Sequence, residues 1–281
     1  MNDMKRAILL SLFFSFQCSI FNLANAQKLT LVHTSDTHSC VEPISKNDIK
    51  PEQADKGGYL RRVNLLKELR QEHPNMLLLD CGDFSQGSVY YSLFKGEVEV
   101  ELMNVMGYDA CTIGNHEFDC GMDNMARLFR MAKFPIVCAN YDFTGTVCEG
   151  LVRPYIIKEC AGKRVGIFGL GPQLEGLVSK QNCEGVVYHK PLEVTQGVVD
   201  KLRNEEHCDF IVCLSHLGYG TRDDQDPALI RGTRGIDVVL GGHSHSYFEH
   251  AEYIPNADGF EIPLDHQGKN AQFVGVLQFE W

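Results

Sequence analysis

Met76-Leu77-Leu78-Leu79-Asp80-Cys81-Gly82-Asp83 is a short apolar run that ends in a glycine and a carboxylate. Four apolar residues bounded by turn-forming ones read as a buried strand rather than a helix. The Gly82-Asp83 pair then stands at the strand's C-terminal end, where open α/β sheets expose their sites. The same grammar recurs on both sides. Leu29-Thr30-Leu31-Val32-His33 leads to Asp36-Thr37-His38, and Ala110-Cys111-Thr112-Ile113 leads to Gly114-Asn115-His116-Glu117. Asp209 to Leu214 leads to Ser215-His216, and Ile236 to Leu240 leads to Gly241-Gly242-His243-Ser244-His245. Helices are expected between the strands. One covers about 57–72, with Leu60, Val63, Leu66 and Leu69 at helical spacing, and one covers about 97–106 and is stopped by Gly107. Others lie near 121–132 and 191–206. Pro135 to Cys138, a hairpin about Gly162 joining Tyr155-Ile156-Ile157 to Val165-Gly166-Ile167-Phe168, and Phe273 to Phe279 supply further strands. The alternation predicts an α/β fold without internal repeats or linkers.

Composition agrees with a folded globular chain. Of 281 residues 44% are hydrophobic and 22% charged, with 26 Gly and 10 Pro, which excludes disorder and collagen-like repeats. A net charge of -11 repels polyanions, so neither nucleic acid nor an anionic membrane surface is an expected partner. Residues 1–26 read as a secretory signal peptide: Lys5 and Arg6 precede the run Ala7 to Phe14, and Ala24-Asn25-Ala26 offers the cleavage pattern. That run is too short and interrupted for a stable membrane span. The expected organisation is thus a leader, 1–26, and one catalytic domain, 27–281, exported to the periplasm or beyond the cell. Cys81, Cys138 and Cys213 lie inside apolar runs and read as small buried hydrophobes, whereas Cys148, Cys160, Cys183 and Cys208 are the better disulfide candidates.

The polar motifs carry the chemistry. In extended backbone, residues i and i+2 point to one side, so Asp36 with His38, and His243 with His245, can converge on one cavity. Glycines before Asp83, Asn115 and His243 allow sharp turns and close approach to an ion. Asp36, His38, Asp83, Asn115, His216, His243 and His245 offer oxygen and imidazole donors and no thiolate. That is too many for one tetrahedral ion. It suits two ions that share a carboxylate, an arrangement able to clamp both oxygens of a phosphoryl displacement. Ser215 lacks a Gly-x-Ser-x-Gly elbow and is not read as a nucleophile. Gly169-Leu170-Gly171 reads as a strand-ending loop, Arg222 to Asp226 as a solvated loop, and Cys40 and Cys81 as small neighbours of the donors.

The series D-x-H, GD, GNHE, SH and GGHSH, in this order, resembles the calcineurin-like metallophosphoesterase superfamily. The words LVHTSDTHS (31–39), LLLDCGDFSQGS (77–88), TIGNHEFDCG (112–121) and CLSHLG (213–218) are similar to its 5′-nucleotidase branch. The resemblance runs over about 28–281. It implies a four-layer α/β/β/α sandwich with two mixed β-sheets and two divalent metal ions, whether Zn, Mn, Fe or Co. One ion would be held by Asp36, His38, Asp83 and His245, the other by Asp83, Asn115, His216 and His243, with Asp83 bridging. The catalytic pair implied is His116 and Asp119, with Asn115 and His116 contacting the phosphate. The expected reaction is hydrolysis of phosphate monoesters, 5′-nucleotides first, by a hydroxide shared between the ions. The rivals are a thiosulfohydrolase acting on sulfur compounds and a non-catalytic binding subunit of a two-chain nucleotidase. The branch normally continues into a second domain that selects the nucleotide. With the chain ending at Trp281, a separately made partner is expected to supply that half, the alternative being action alone on small phosphate esters.

Overall fold

A computed structural model describes residues 28–281 except 49 and 52, so the leader expected at 1–26 lies outside the described residues. Through the first half the elements are β1 (Lys28–Thr34), α1 (Tyr59–Glu72), β2 (Met76–Asp80), α2 (Val89–Phe94), α3 (Glu97–Met106), β3 (Ala110–Cys111), α4 (Gly121–Met131), β4 (Ile136–Val137), β5 (Tyr141–Asp142) and β6 (Val152–Arg153). The second half adds β7 (Tyr155–Cys160), β8 (Lys163–Leu170), β9 (Val187–Tyr188), α5 (Pro191–Asp200), β10 (Phe210–Ser215), α6 (Asp226–Gly232), β11 (Val238–Gly241), β12 (Glu252–Pro255), β13 (Glu261–His266) and β14 (Gly275–Glu280).

Two six-stranded sheets result, in the orders β14-β1-β2-β3-β4-β6 and β12-β13-β11-β10-β8-β7. Both are mixed. The inner strands pair in parallel, while β14 on β1, β7 on β8 and β12 on β13 are antiparallel. Alternation along the inner strands explains the layering. Leu29, Leu31, Leu77 and Leu79 of the first sheet meet Val212, Leu214, Val238 and Leu240 of the second in a central core. The intervening Val32, Met76 and Leu78 face outward onto residues of α1, α3 and α4, among them Leu66, Val100, Met103 and Leu128. Ile211, Cys213 and Val239 face the other way, onto Val199 of α5 and Leu229 and Ile230 of α6. Three cores thus alternate with four layers, the expected α/β/β/α sandwich.

Details differ from the sequence reading. Helix α1 turns Leu66 inward with Val63 and Leu69 packed beside it, as the spacing predicts, but adds Tyr59 and Arg62 to that face and leaves Leu60 68% exposed. The Tyr59 hydroxyl secures that face with a hydrogen bond to the Thr37 hydroxyl at 2.8 Å. The helix expected to 206 is regular only to Asp200 and then widens into a π turn over Lys201–Glu205. Asp226, read as part of a solvated loop, is fully buried at the start of α6 and accepts from the Ser215 hydroxyl and from His266 Nε2, the latter at 2.8 Å. Gly169 and Leu170 belong to β8 rather than to a loop. The described cysteines are all free, Cys148, Cys160, Cys183 and Cys208 included; Cys148 and Cys208 are packed into different hydrophobic cores.

A buried polar tie crosses between the sheets. His33 of β1 donates from Nε2 to Asp265 Oδ2 of β13 at 2.8 Å, and Gln267 donates to the same carboxylate at 2.9 Å. Burial alone would raise the Asp265 carboxyl, but these bonds outweigh it and hold it below the ordinary 3.8. A depressed folded-state value stabilises the fold above the unfolded value and loses that effect as the pH falls through the folded one. Asp265→Asn should therefore cost about 1–3 kcal/mol at neutral pH. Urea midpoints should show a constant gap to the parent down to about pH 5 that closes only below about pH 4.

Candidate metal centre

The carbonyl ends of β1, β2 and β3 in one sheet and of β10 and β11 in the other open onto one edge of the sandwich. There the structure brings together the donors foreseen from sequence. One ligand atom each from Asp36, His38 and His245 lie within 4.8 Å of one another, as do those of Asp83, His216 and His243, and those of His38, Asp83 and His116. The Nε2 atoms of His38 and His245 are 3.0 Å apart, and His245 Nε2 is 3.5 Å from Asp36 Oδ1. His216 Nε2 is 3.0 Å from Asp83 Oδ2 and 3.9 Å from Asp36 Oδ1.

The reason for convergence differs from the one expected. Asp36, His38, Asp83, His243 and His245 all have positive φ, between 44° and 70°, so they do not lie in extended backbone with alternating faces. Left-handed backbone at a non-glycine residue costs energy, of order 1–3 kcal/mol each. It survives here because each loop is tied to another. The N–H of Asp36 donates to Gly82 O and that of His38 to Asp83 O, both at 3.0 Å. The His243 N–H donates to the Asp36 carboxylate at 3.0 Å.

Sequence reasoning missed the group that binds the second and third loops. The Glu117 carboxylate is buried and accepts the N–H groups of Asp83 at 2.9 Å, Ser85 at 3.2 Å and Gly114 at 2.7 Å. Its signal was an acid directly after three site residues in Gly114-Asn115-His116. Gly114 answers to space: a Cβ there would stand 2.1 Å from Asp83 Oδ1.

Electrostatics in the centre follow from burial. Burial, reinforced by Asp83, raises the Asp36 carboxyl to about 7 against the opposing pull of His216. Burial would raise Asp83 as well, but His216, His116 and His38 outweigh it and hold that carboxylate well below its usual range. His216 is the counter-charge: burial disfavours its cation, yet Asp83 and Asp36 push it up to about 10. His243 and His245 move the other way, each down to about 4, chiefly through burial and then through the His216 charge and the Lys269 charge respectively. Neutral imidazoles have a lone pair to give.

These residues fit metal ions. The Nδ1–H of His216 donates to Cys81 O at 2.6 Å, which aims Nε2 into the centre toward Asp83 Oδ2. Asn115 Oδ1 is buried without a hydrogen-bond partner. Oxygen and nitrogen donors of this kind suit divalent first-row ions. The thiols of Cys40 and Cys81 are both raised by burial, and Cys81 donates to Leu240 O at 3.2 Å, so neither offers a thiolate. Ser215 is engaged by Asp226. At the mouth, half-buried His116 donates from Nδ1 to Asp119 Oδ2 at 2.7 Å, a bond that raises its imidazole above the usual 6.5.

A family model described as calcineurin-like phosphoesterase matches residues 29–247. The rat protein named 5′-nucleotidase is 34% identical over 277 residues, which cover 92% of this chain and 47% of that protein. A snake venom 5′-nucleotidase of Gloydius brevicauda is 35% identical, covering 90% of this chain and 45% of its own length. Among solved structures, the 5′-nucleotidase precursor of Thermus thermophilus superposes with a TM-score of 0.82 at 33% identity, over 89% of this chain and 51% of that one. The chain spans about half the length of these relatives.

Gly114→Ala should displace Asp83 and lower metal affinity about 10- to 100-fold. Equilibrium dialysis against Zn or Mn checks this, with far-UV circular dichroism unchanged.

Proposed function

This chain belongs to the calcineurin-like phosphoesterase family, and we propose that it is an exported hydrolase of phosphate monoesters, 5′-nucleotides foremost, that works with two divalent ions. The observation that supports it most is the meeting of Asp36, His38, Asp83, His216, His243 and His245 at one edge, beside the His116–Asp119 pair. Asp36, His38, Asp83 and His245 would hold one ion and Asp83, Asn115, His216 and His243 the other, in the proposed division. Bound there, Zn, Mn, Fe or Co ions would polarise phosphoryl oxygens and supply a hydroxide nucleophile at neutral pH.

The chain's own residues do the rest. In this reading Asn115 and His116 would contact the phosphate, Asn115 being buried in the centre and His116 lining the cavity beside it. Asp119 anchors His116 Nδ1, which leaves Nε2 free to face the departing oxygen. That bond raises the imidazole and so favours its protonated form, from which His116 can deliver a proton to the leaving alkoxide. The names of the relatives, 5′-nucleotidases of rat and snake venom, support nucleotides as the leading substrate class.

Export rests on the leader read at residues 1–26; among the described residues no helix is long and apolar enough to cross a membrane. A partner protein that selects the substrate is also part of the proposal. Helix α2 leads away from Ser88 at the rim of the centre and exposes Val89, Leu93 and Phe94, which supports such a partner.

A phosphate-release screen over 5′-nucleotides, sugar phosphates and diesters, paired with metal analysis, tests the reading. His116→Ala should retain about two ions per chain and lose about 10²- to 10⁴-fold in kcat. Asp119→Asn should lose less, about 10- to 100-fold, and shift the acid required for turnover to lower pH. Unchanged turnover in His116→Ala, or release of sulfate from a thiosulfonated carrier in place of phosphate, would overturn the proposal.

A further inference from the structure

A cavity of about 330 Å³ opens beside the candidate centre, lined among others by His38, His116, His245, Gln86, Lys269 and Asn270. Lys269 is the one lysine or arginine side chain in that lining. Its ammonium has no ion pair and no side-chain hydrogen bond among the described residues. Ion pairs among the described lysines are few, those of Lys28, Lys46 and Lys158, so what sets Lys269 apart is its place in the lining of this cavity.

Its backbone is held on both sides by the loops that carry the donors. The Gly268 N–H donates to Ser246 O, next to His245, and the Asn270 N–H donates to Asp36 O, both at 2.8 Å. Ala271, one residue further, is buried in the core beneath the first sheet. Lys269 is therefore carried on a fixed segment rather than on a free loop end.

An unpaired cation carried on a held backbone next to a cluster that fits metal ions is unfavourable by itself, since like charges repel. The arrangement becomes favourable when a dianion lies between them. An ammonium offers three donors and a compact charge, the chemistry that suits phosphate oxygens.

We infer that Lys269 forms an anion subsite contributed by this chain itself, which holds the phosphoryl group of a phosphate monoester against the candidate centre. This rests on the phosphoesterase reading and deepens it. The contact acts on the bound ester before reaction, so it sets affinity more than turnover.

Calorimetric titration of the metal-loaded full chain with inorganic phosphate tests the subsite without requiring catalysis. Lys269→Ala and Lys269→Gln should weaken phosphate binding about 5- to 50-fold, and Lys269→Arg should restore most of it. KM for AMP should rise by a similar factor while kcat changes less than about threefold. The salt dependence of phosphate binding should become shallower in the neutral variants. Phosphate affinity equal to the parent's in both neutral variants, or no phosphate binding by the metal-loaded parent, would overturn the inference. Failure of the parent to release phosphate from any ester would instead overturn the proposed function, with the calorimetry still deciding Lys269.

Discussion

Asp36 and Asp83 are two carboxylates buried side by side, and the surrounding structure answers the repulsion and desolvation that this entails. Isolated charges of one sign are not tolerated in such a place without counter-charge. His216, equally buried, supplies one positive charge between them, and its own ring is locked by the Cys81 carbonyl. Divalent cations would take the place of the imidazolium proton, freeing His216 Nε2 as a donor and supplying the positive charge that the two carboxylates require. The unpartnered Asn115 oxygen and the paired Nε2 atoms of His38 and His245 point to the same need.

Holding that centre requires strained backbone, and the strain is carried by rigid scaffolding on every side. Glu117 clamps the Asp83 and Gly114 loops through three N–H groups. Ser39, next to His38, donates its hydroxyl to Glu99 of α3, while His243 leans its N–H on Asp36. Behind these loops, strands buried on both faces fix where each loop leaves its sheet. The His33–Asp265 tie and the central aliphatic core keep the two sheets, and hence the two halves of the centre, in one position. Metal-site geometry in this fold is therefore a property of the sheet-to-sheet contact as much as of the loops.

Much of this was legible beforehand, and the pattern of what was not has a physical basis. β2, β10 and β11 read clearly because both faces are buried and apolar residues run together, and β1 reads through Leu29, Leu31 and Val32 despite Thr30 and His33. β12 and β13 did not: Glu252–Pro255 is largely exposed at a sheet edge, and Glu261–His266 mixes Pro263 with Asp265 and His266, which are buried by pairing with His33 and Asp226 respectively rather than by apolarity. α2 and α6, of six and seven residues, are too short to show a period. Helix α1 was foreseen with Val63, Leu66 and Leu69 on its inner face, but Leu60 was wrongly included and Arg62, polar in sequence, lies inward over Tyr59. The disulfide candidates failed because cysteine in apolar surroundings packs as a hydrophobe wherever it falls in the chain.

The amino-acid order by itself determined the inventory: the central strands, that five of them lead into donor motifs, and that those donors are oxygen and nitrogen. It could do so because strand patterning and ligand chemistry are local properties of residue type. Only the tertiary structure decided how the donors meet. Left-handed backbone at five of them, the Glu117 clamp, the charge balance among Asp36, Asp83 and His216, and the seating of Lys269 between two loops all arise from contacts between residues far apart in the chain. Such contacts leave no trace in periodicity, since their energy depends on distance and burial that only the folded sheets create.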